Sequence, residues 1–169
     1  MKVILDTYQL KIIIERLAYQ LVENYTDLST VALIGIQPRG IHLSDRIMAQ
    51  LGKIRPGNPI RYGRLDITFY RDDIRQELHK PKQTDITFSL EDKNVILVDD
   101  VLFTGRTIRA GLDALLDFGR PKKVELCVLV NRRYSRQLPI QPDYCGKAID
   151  SLKSQKVKVQ WDPEQVILL

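Results

Sequence analysis

Val95-Ile96-Leu97-Val98-Asp99-Asp100-Val101-Leu102-Phe103-Thr104-Gly105-Arg106-Thr107 is the stretch from which the fold class follows. Val95 to Val98 is a continuous, mostly β-branched apolar run behind the polar turn Glu91 to Asn94, the pattern of a strand buried on both faces of a parallel sheet. Two adjacent carboxylates close that strand, a short loop with Thr104 and Gly105 follows, and a helix then runs toward Gly119. Open α/β sheets bind ligands at this end of their strands. A helix start presents unpaired backbone N–H groups and the positive end of a dipole, while Gly105 lets the backbone approach a ligand closely. Thr104 and Thr107 add hydroxyl donors, so the loop reads as a phosphate cradle. Asp99 and Asp100 beside it can accept hydrogen bonds from two vicinal hydroxyls, which suits a ribose 5-phosphate better than a triphosphate tail.

Two rival nucleotide motifs are excluded on the residues. An apolar strand ending in Asp-Asp also resembles the metal strand of a P-loop ATPase, but that reading needs Lys and Ser or Thr after a glycine-rich loop. Gly35 to Gly40 has the glycine spacing, yet Ile41 and His42 stand where those side chains are required. No G-x-G-x-x-G is present either.

The rest of the chain extends the same alternation in both directions. Leu10, Ile13, Ile14, Leu17 and Leu21 recur at helical spacing from Asp6 or Thr7 to Asn24. Val31 to Ile36 is a second short strand, and Ile41 to Leu51 carries the stripe of a second helix. Between them, Gln37, Pro38, Arg39 and Gly40 form a loop whose N–H groups and arginine fork suit a pyrophosphate. Arg64 to Tyr70 alternates as a half-buried strand, and Arg71 to Asn94 is a polar excursion of the kind that forms lids, with a weak strand at Asp85 to Phe88. Lys123 to Val130 is another strand, Asn131 to Arg136 reads as a basic loop, and Val157, Val159 and Trp161 alternate in a late strand. Strands alternating with helices predict an α/β fold: a twisted, mainly parallel sheet with helices on both faces.

Composition bounds the function without choosing it. The 169 residues, 44% of them hydrophobic, suffice for one domain over 1–169. A net charge of +5 fits an anionic ligand, and equally fits ordinary solubility when 28% of residues are charged. Cys127 and Cys145 match no zinc or C-x-x-C spacing and are expected to be reduced thiols. His42 and His79 read as exposed loop or helix residues rather than bases. No apolar run approaches the ~18 residues of a membrane span, and no secretory leader is visible, so a cytoplasmic location is expected.

As a whole run, Val95 to Thr107 resembles the signature of type I phosphoribosyltransferases, which use phosphoribosyl pyrophosphate (PRPP). Further motifs make the chain similar to the PyrR family, which couples uracil phosphoribosyltransferase activity to attenuation of pyrimidine operons. These are Gly35-Ile36 with Arg39-Gly40, Asp66-Ile67-Thr68 with Tyr70-Arg71-Asp72-Asp73, Arg109-Ala110-Gly111, Gly119-Arg120-Pro121, Leu138-Pro139-Ile140, Asp143-Tyr144 and Gly146-Lys147.

The resemblance implies that Asp99, Asp100, Val101, Leu102, Phe103, Thr104, Gly105, Arg106 and Thr107 bind PRPP. It also implies that Gln37, Pro38, Arg39 and Gly40, with Arg71, hold pyrophosphate, and that Asp99, Asp100 and Arg39 carry the catalysis. A flexible lid over about 71–94, a small hood built from the N- and C-terminal segments including about 131–160, and Mg2+ bound through PRPP rather than by dedicated protein ligands belong to the same expectation. So do uracil and UMP as substrate and product, a homodimer or higher homo-oligomer, and a pyr mRNA leader as RNA partner. Lys11, Arg16, Arg132, Arg133 and Arg136 are the candidate RNA phosphate contacts. Purine transferases of this fold commonly carry Asp at the position of Phe103, so a pyrimidine is favoured. The alternatives are a hypoxanthine or guanine phosphoribosyltransferase, and an RNA-binding regulator with weak catalysis. The chain departs from the family at Asn131 to Arg136, where an acidic residue and a Gly-His-Arg element are usual.

Overall fold

The computed structural model describes residues 1–72 and 83–169. Five parallel strands form the main sheet, in spatial order β3, β2, β4, β5, β6. They are β2 (Val31–Ile36), β3 (Arg61–Leu65), β4 (Asn94–Leu102), β5 (Lys123–Arg133) and β6 (Tyr144–Asp150). A second, antiparallel sheet joins β1 (Lys2–Leu5), β8 (Glu164–Leu168) and β7 (Val157–Trp161), in the order β1, β8, β7.

β4 lies at the centre of the main sheet because its apolar run has an interior to face on both sides. Ile96 and Val98 join the core beneath helices α1 (Thr7–Asn24) and α2 (Gly40–Ile54). Val95 and Leu97 join the opposite core with Ile108, Ala110, Ala114 and Leu115 of α3 (Arg106–Leu115). The expected helices on both faces are present, with period 2 along the strand deciding which side chain goes to which core.

α1 begins where the sequence places it. Asp6 Oδ1 accepts the Gln9 N–H at 2.8 Å while Gln9 Oε1 accepts the Asp6 N–H at 3.1 Å, a reciprocal cap that satisfies two groups at the helix start. α2 begins against the sheet itself. A Cβ on Gly40 would lie 2.4 Å from the Val98 carbonyl oxygen and 3.0 Å from Asp99 Cα, so glycine is what lets this helix start beside the acidic end of β4. Arg46 of α2 then ties the helix to the small sheet. Its guanidinium stacks 4.2 Å over the Trp161 ring and pairs with Glu164 at 2.8 Å.

Four expectations change. β3 covers Arg61–Leu65, and Thr68–Tyr70 is a 3-10 turn; Ile67 is still buried beside Leu65 but Phe69 is 81% exposed, so the alternation ends before Phe69. The weak strand at Asp85 to Phe88 reduces to one antiparallel bridge between Asp85 and Arg64. β5 continues beyond Val130 through Arg133, paired with β6, so the basic segment starts as strand. Segment 131–160 is divided between the two sheets, ending β5 and forming β6 in one and entering β7 in the other. Much of the expected lid, including His79, falls in 73–82, outside the described residues. No helix among the described residues is long and apolar enough to cross a membrane.

Candidate active site

The acidic pair sits in the sheet rather than after it. β4 continues through Asp99 and Asp100 to Leu102, paired in register with Val128, Val130 and Asn131 of β5. Each carboxylate is held by the amide that follows it: the Asp100 N–H donates to Asp99 Oδ1 at 2.9 Å and the Val101 N–H to Asp100 Oδ1 at 2.8 Å. Both residues are buried, 6% and 5% exposed. Desolvation raises the pKa of Asp99 well above the usual carboxyl range, and the neighbouring Asp100 charge pushes it further. Desolvation also raises Asp100, with Arg39 opposing it most strongly. Two buried acids with a guanidinium nearby form a centre poised to receive hydroxyl donors or a cation.

The loop beyond β4 is shaped by Gly105, which caps α3 in the left-handed region at φ +95°. A side chain there would be strained and would come 3.3 Å from Ile140 Cδ1. Gly105 offers no capping side chain to α3, whose Arg106 N–H reaches Thr104 Oγ1 at 3.4 Å, and a helix start of this kind suits an anion. The loop is braced from outside. The Thr104 carbonyl accepts the Gln137 and Leu138 N–H groups at 2.9 and 3.3 Å, and Arg106 Nε donates to Gln137 Oε1 at 2.7 Å. Asp72 accepts from both Arg106 and Arg109, at 2.9 and 3.0 Å.

One cavity of about 450 Å³ gathers these pieces. Gln37, Pro38, Arg39, Arg71 and every residue from Asp99 to Thr107 line it, while Gly40 supports it from the start of α2. Three loops separated in sequence therefore converge at the carboxyl ends of β2, β3 and β4, as the sequence reading expects. Ile36, Ile67, Ile108, Arg132, Gln137 and Val157 complete the wall. None of these six was expected there, and Val157 brings the small sheet into the cavity.

Arg132 is the main correction. It is 4% exposed and lines the cavity, so it is not a surface phosphate contact. Its guanidinium lies 3.9 Å over the Phe103 ring, Nε donates to Ser151 Oγ at 2.9 Å and Nη2 to the Leu152 carbonyl at 2.9 Å. The available signal was its register: Asn131 pairs with Leu102, which places the next residue of β5 beside the loop that follows β4. The other basic candidates are dispersed. Arg136 is half-buried and donates to the Phe103 carbonyl and to Asn131 Oδ1. Arg133 is paired with Asp150 at 2.8 Å, and Arg16 donates to the Gly146 carbonyl at 2.6 Å, binding α1 to β6. Lys11 is exposed on α1. Cys127 is buried and its thiol is pushed up to about 12 by desolvation; Cys145 is half-buried, both are free, and neither lines the cavity.

Comparison with known proteins places the chain in a family. The model of the phosphoribosyl transferase domain matches residues 1–164. A protein of a Picosynechococcus species called bifunctional protein PyrR is 48% identical over 157 residues, covering 92% of this chain and 88% of its own. Its Bacillus subtilis namesake is 45% identical over 164 residues, covering 95% and 90%. Among solved structures, a Trypanosoma cruzi hypoxanthine phosphoribosyl transferase superposes with a TM-score of 0.77 at 16% identity, over 100% of this chain and 91% of that one. A Staphylococcus aureus hypoxanthine phosphoribosyltransferase does so at 0.69 and 19%, covering 89% and 78%. At such identities the structural likeness speaks for the fold alone.

Proposed function

The chain belongs to the phosphoribosyl transferase domain family and, within it, to the PyrR group, and from that premise we propose that it converts uracil and PRPP to UMP and pyrophosphate. The observation that carries the reading is the single cavity joining an acidic strand end, a helix-capping phosphate loop and an arginine-bearing second loop.

Each part has a physical task. Breaking the bond from the anomeric carbon to pyrophosphate develops positive charge on the ribose ring and negative charge on the leaving group. Asp99 and Asp100 accept from the ribose hydroxyls and favour the cationic ring; they position and stabilise rather than attack. The amides and hydroxyls of Thr104 to Thr107 hold the 5-phosphate at the start of α3. Arg39, the 37–40 loop and Arg71 meet the departing pyrophosphate. Phosphoribosyltransferases in general use Mg2+ with PRPP, a hard cation that suits the pyrophosphate and ribose oxygens, while Asp99 and Asp100 fix the ribose hydroxyls beside it. When bound, the ion offsets phosphate charge.

Phe103 favours a pyrimidine over a purine. Uracil's ring nitrogen is acidic enough to dispense with a strong dedicated base. Incubation of the purified protein with PRPP, Mg2+ and each nucleobase should give UMP from uracil; product from guanine or hypoxanthine with none from uracil would overturn the assignment.

The same reading includes a regulatory role: binding of a pyr mRNA leader, enhanced by UMP, by a homodimer or larger homo-oligomer. Lys11, Arg16, Arg133 and Arg136 remain as its phosphate contacts. Phosphate neutralisation releases counterions, so affinity should fall linearly with salt on logarithmic axes, and loss of one contact should reduce the slope by roughly 0.7 to 0.9. Equal, UMP-insensitive binding to a leader hairpin and an unrelated hairpin would remove the regulatory role and leave the enzyme.

A further inference from the structure

The phosphate loop has an outer side as well as an inner one. Phe103, Thr104 and Gly105 line the cavity, and behind them runs the strap of residues 136–138 that follows β5, of which only Gln137 reaches the cavity. Three donors of this strap converge on two consecutive loop carbonyls. Arg136 Nη1 donates to the Phe103 carbonyl, and the Gln137 and Leu138 N–H groups donate to the Thr104 carbonyl at 2.9 and 3.3 Å. The strap is itself held. Arg136 Nη2 donates to Asn131 Oδ1 on β5, and Ile140 packs against the core beneath α3 while standing 3.3 Å from where a Cβ on Gly105 would lie.

These bonds decide where the neighbouring N–H groups point. In a trans peptide unit the C=O and the N–H that follows it point in opposite directions. Carbonyls of Phe103 and Thr104 drawn toward the strap therefore turn the Thr104 and Gly105 N–H groups away from it, and neither N–H donates to another group among the described residues. Consecutive N–H groups turned to one side form an anion-binding concavity. The loop does not enforce this alone. Glycine tolerates both hands of the backbone, so the peptide unit before Gly105, at φ +95°, turns over readily, and an inverted unit would present a carbonyl oxygen to a phosphate. The strap removes that choice.

We propose that Arg136 is a positioning residue for the sugar phosphate: together with the Gln137 and Leu138 amides it draws the Phe103 and Thr104 carbonyls outward, and so keeps the Thr104 and Gly105 N–H groups aimed at the 5-phosphate of PRPP. This inference rests on the phosphoribosyl transfer reading and deepens it. Arg136 touches no substrate. A hydrogen bond from a guanidinium is stronger than one from a neutral donor, and the peptide unit that accepts it at the Phe103 carbonyl carries the Thr104 N–H at its other end. Bonds linked in this way polarise one another, so the N–H becomes the better donor to an anion. The pyrophosphate end of PRPP meets the 37–40 loop and Arg71 instead, and is independent of Arg136.

The test uses the full chain with Arg136→Met, Arg136→Lys and Asn131→Ala. Calorimetry in the presence of Mg2+ measures ribose 5-phosphate, which probes the loop, and inorganic pyrophosphate, which probes the 37–40 side. Arg136→Met should weaken ribose 5-phosphate roughly 10-fold or more, the scale of a hydrogen bond to a charged group, and leave pyrophosphate within about twofold. In the reaction, the KM for PRPP should rise by a similar factor while the uracil KM at saturating PRPP stays near the wild-type value. Amide NMR spectra of the wild type should show the Thr104 and Gly105 N–H protons moving downfield on addition of ribose 5-phosphate, and that movement should vanish in Arg136→Met. Arg136→Lys keeps one charged donor and should fall between; a lysine variant no better than methionine overturns the hydrogen-bond role. A folded Arg136→Met with unchanged ribose 5-phosphate affinity overturns the proposal, even where it binds leader RNA more weakly. Equal loss of ribose 5-phosphate and pyrophosphate, the mark of general loosening, overturns it too. Should Arg136→Met fail to fold, Asn131→Ala decides, since it frees Nη2 and loosens the guanidinium from behind. A several-fold loss for ribose 5-phosphate alone supports the role, and no loss overturns it. Wild-type protein that binds ribose 5-phosphate in an Arg136-dependent way yet makes no UMP refutes the uracil assignment and supports this inference; wild-type protein that binds neither ribose 5-phosphate nor PRPP overturns both.

Discussion

The two loops that leave β4 and β5 line the same cavity and are built by different means. At the end of β4, the chain relies on its backbone: a left-handed Gly105, the amides at the head of α3, and carboxylates held by the amides that follow them. At the end of β5 and in the loop that follows, it relies on side chains. Arg132 spans Phe103, Ser151 and Leu152, and Arg136 spans Phe103 and Asn131. A backbone-built site constrains residue type wherever conformation is unusual, so it leaves a legible motif. A side-chain-built site can be assembled from any residue that reaches, and its parts look like ordinary surface charges until the strands are placed in register.

The sharpest way to break this contrast is at Asp100. Asp100→Asn preserves size and the hydrogen bond from Val101 but removes the charge, so turnover should fall on the order of 100-fold or more with the fold intact. Unchanged UMP formation would mean that the acidic pair is architecture only.

Gly40→Ala probes the backbone from the other side. The new methyl would collide with the Val98 carbonyl and press on Asp99, so α2 must shift away from β4. Overpacking of this kind costs about 1–3 kcal/mol. Thermal unfolding should show the loss, with weaker PRPP binding because the 37–40 loop moves too. An alanine variant with wild-type melting would show that the close approach is not required.

Asp99→Asn should separate stability from function. Because burial raises its folded pKa, the contribution of this carboxyl to stability is fully present below the ordinary carboxyl range and is lost as pH rises through the raised value. At neutral pH the charge therefore costs stability, and the amide should melt higher, by about 2–4 °C for each kcal/mol relieved, while turnover drops. Lower melting across the whole pH range would place the stabilising charge balance elsewhere.

Serine at both Cys127 and Cys145 should cost about 1 kcal/mol, at buried Cys127, and leave catalysis nearly intact. Abolished turnover in a folded double variant would mean that a thiol serves the reaction. The smallest effect is expected at Asp72, a partly exposed clamp on Arg106 and Arg109. Asp72→Asn should change stability by less than about 1 kcal/mol, since a loop built on its backbone does not depend on a surface ion pair. A large loss of PRPP affinity would show that the β4 loop also leans on its side chains.

The same distinction explains what could be read before the structure. Central β4, the capped α1 and the converging 37–40 and 99–107 loops follow from apolar period, cap chemistry and glycine placement. β1 and β8 do not, because each is short and owes its place to pairing with a distant partner, Lys2 with Leu168, and β6 does not because its residues are mixed in polarity and only partly buried. Phe69 imitates a strand position and is exposed. Arg132 imitates a surface charge and is buried. Both need long-range register, which local pattern does not contain.

The small sheet gives the cavity a hinge in time as well as in space. Its closing contact joins Lys2 to Leu168, so ordering it means closing nearly the whole chain into one loop, whereas β2 and β4 pair over a far shorter separation. Such a unit forms late and opens early. Amide exchange should therefore release β1 before β4, and before β7 and β8, which are joined by the local hairpin that closes at Trp161 and Glu164. Val157 pairs with Leu168 across that hairpin, so the wall it gives the cavity rests on a local pairing, which the two ends of the chain then tether to the rest of the fold.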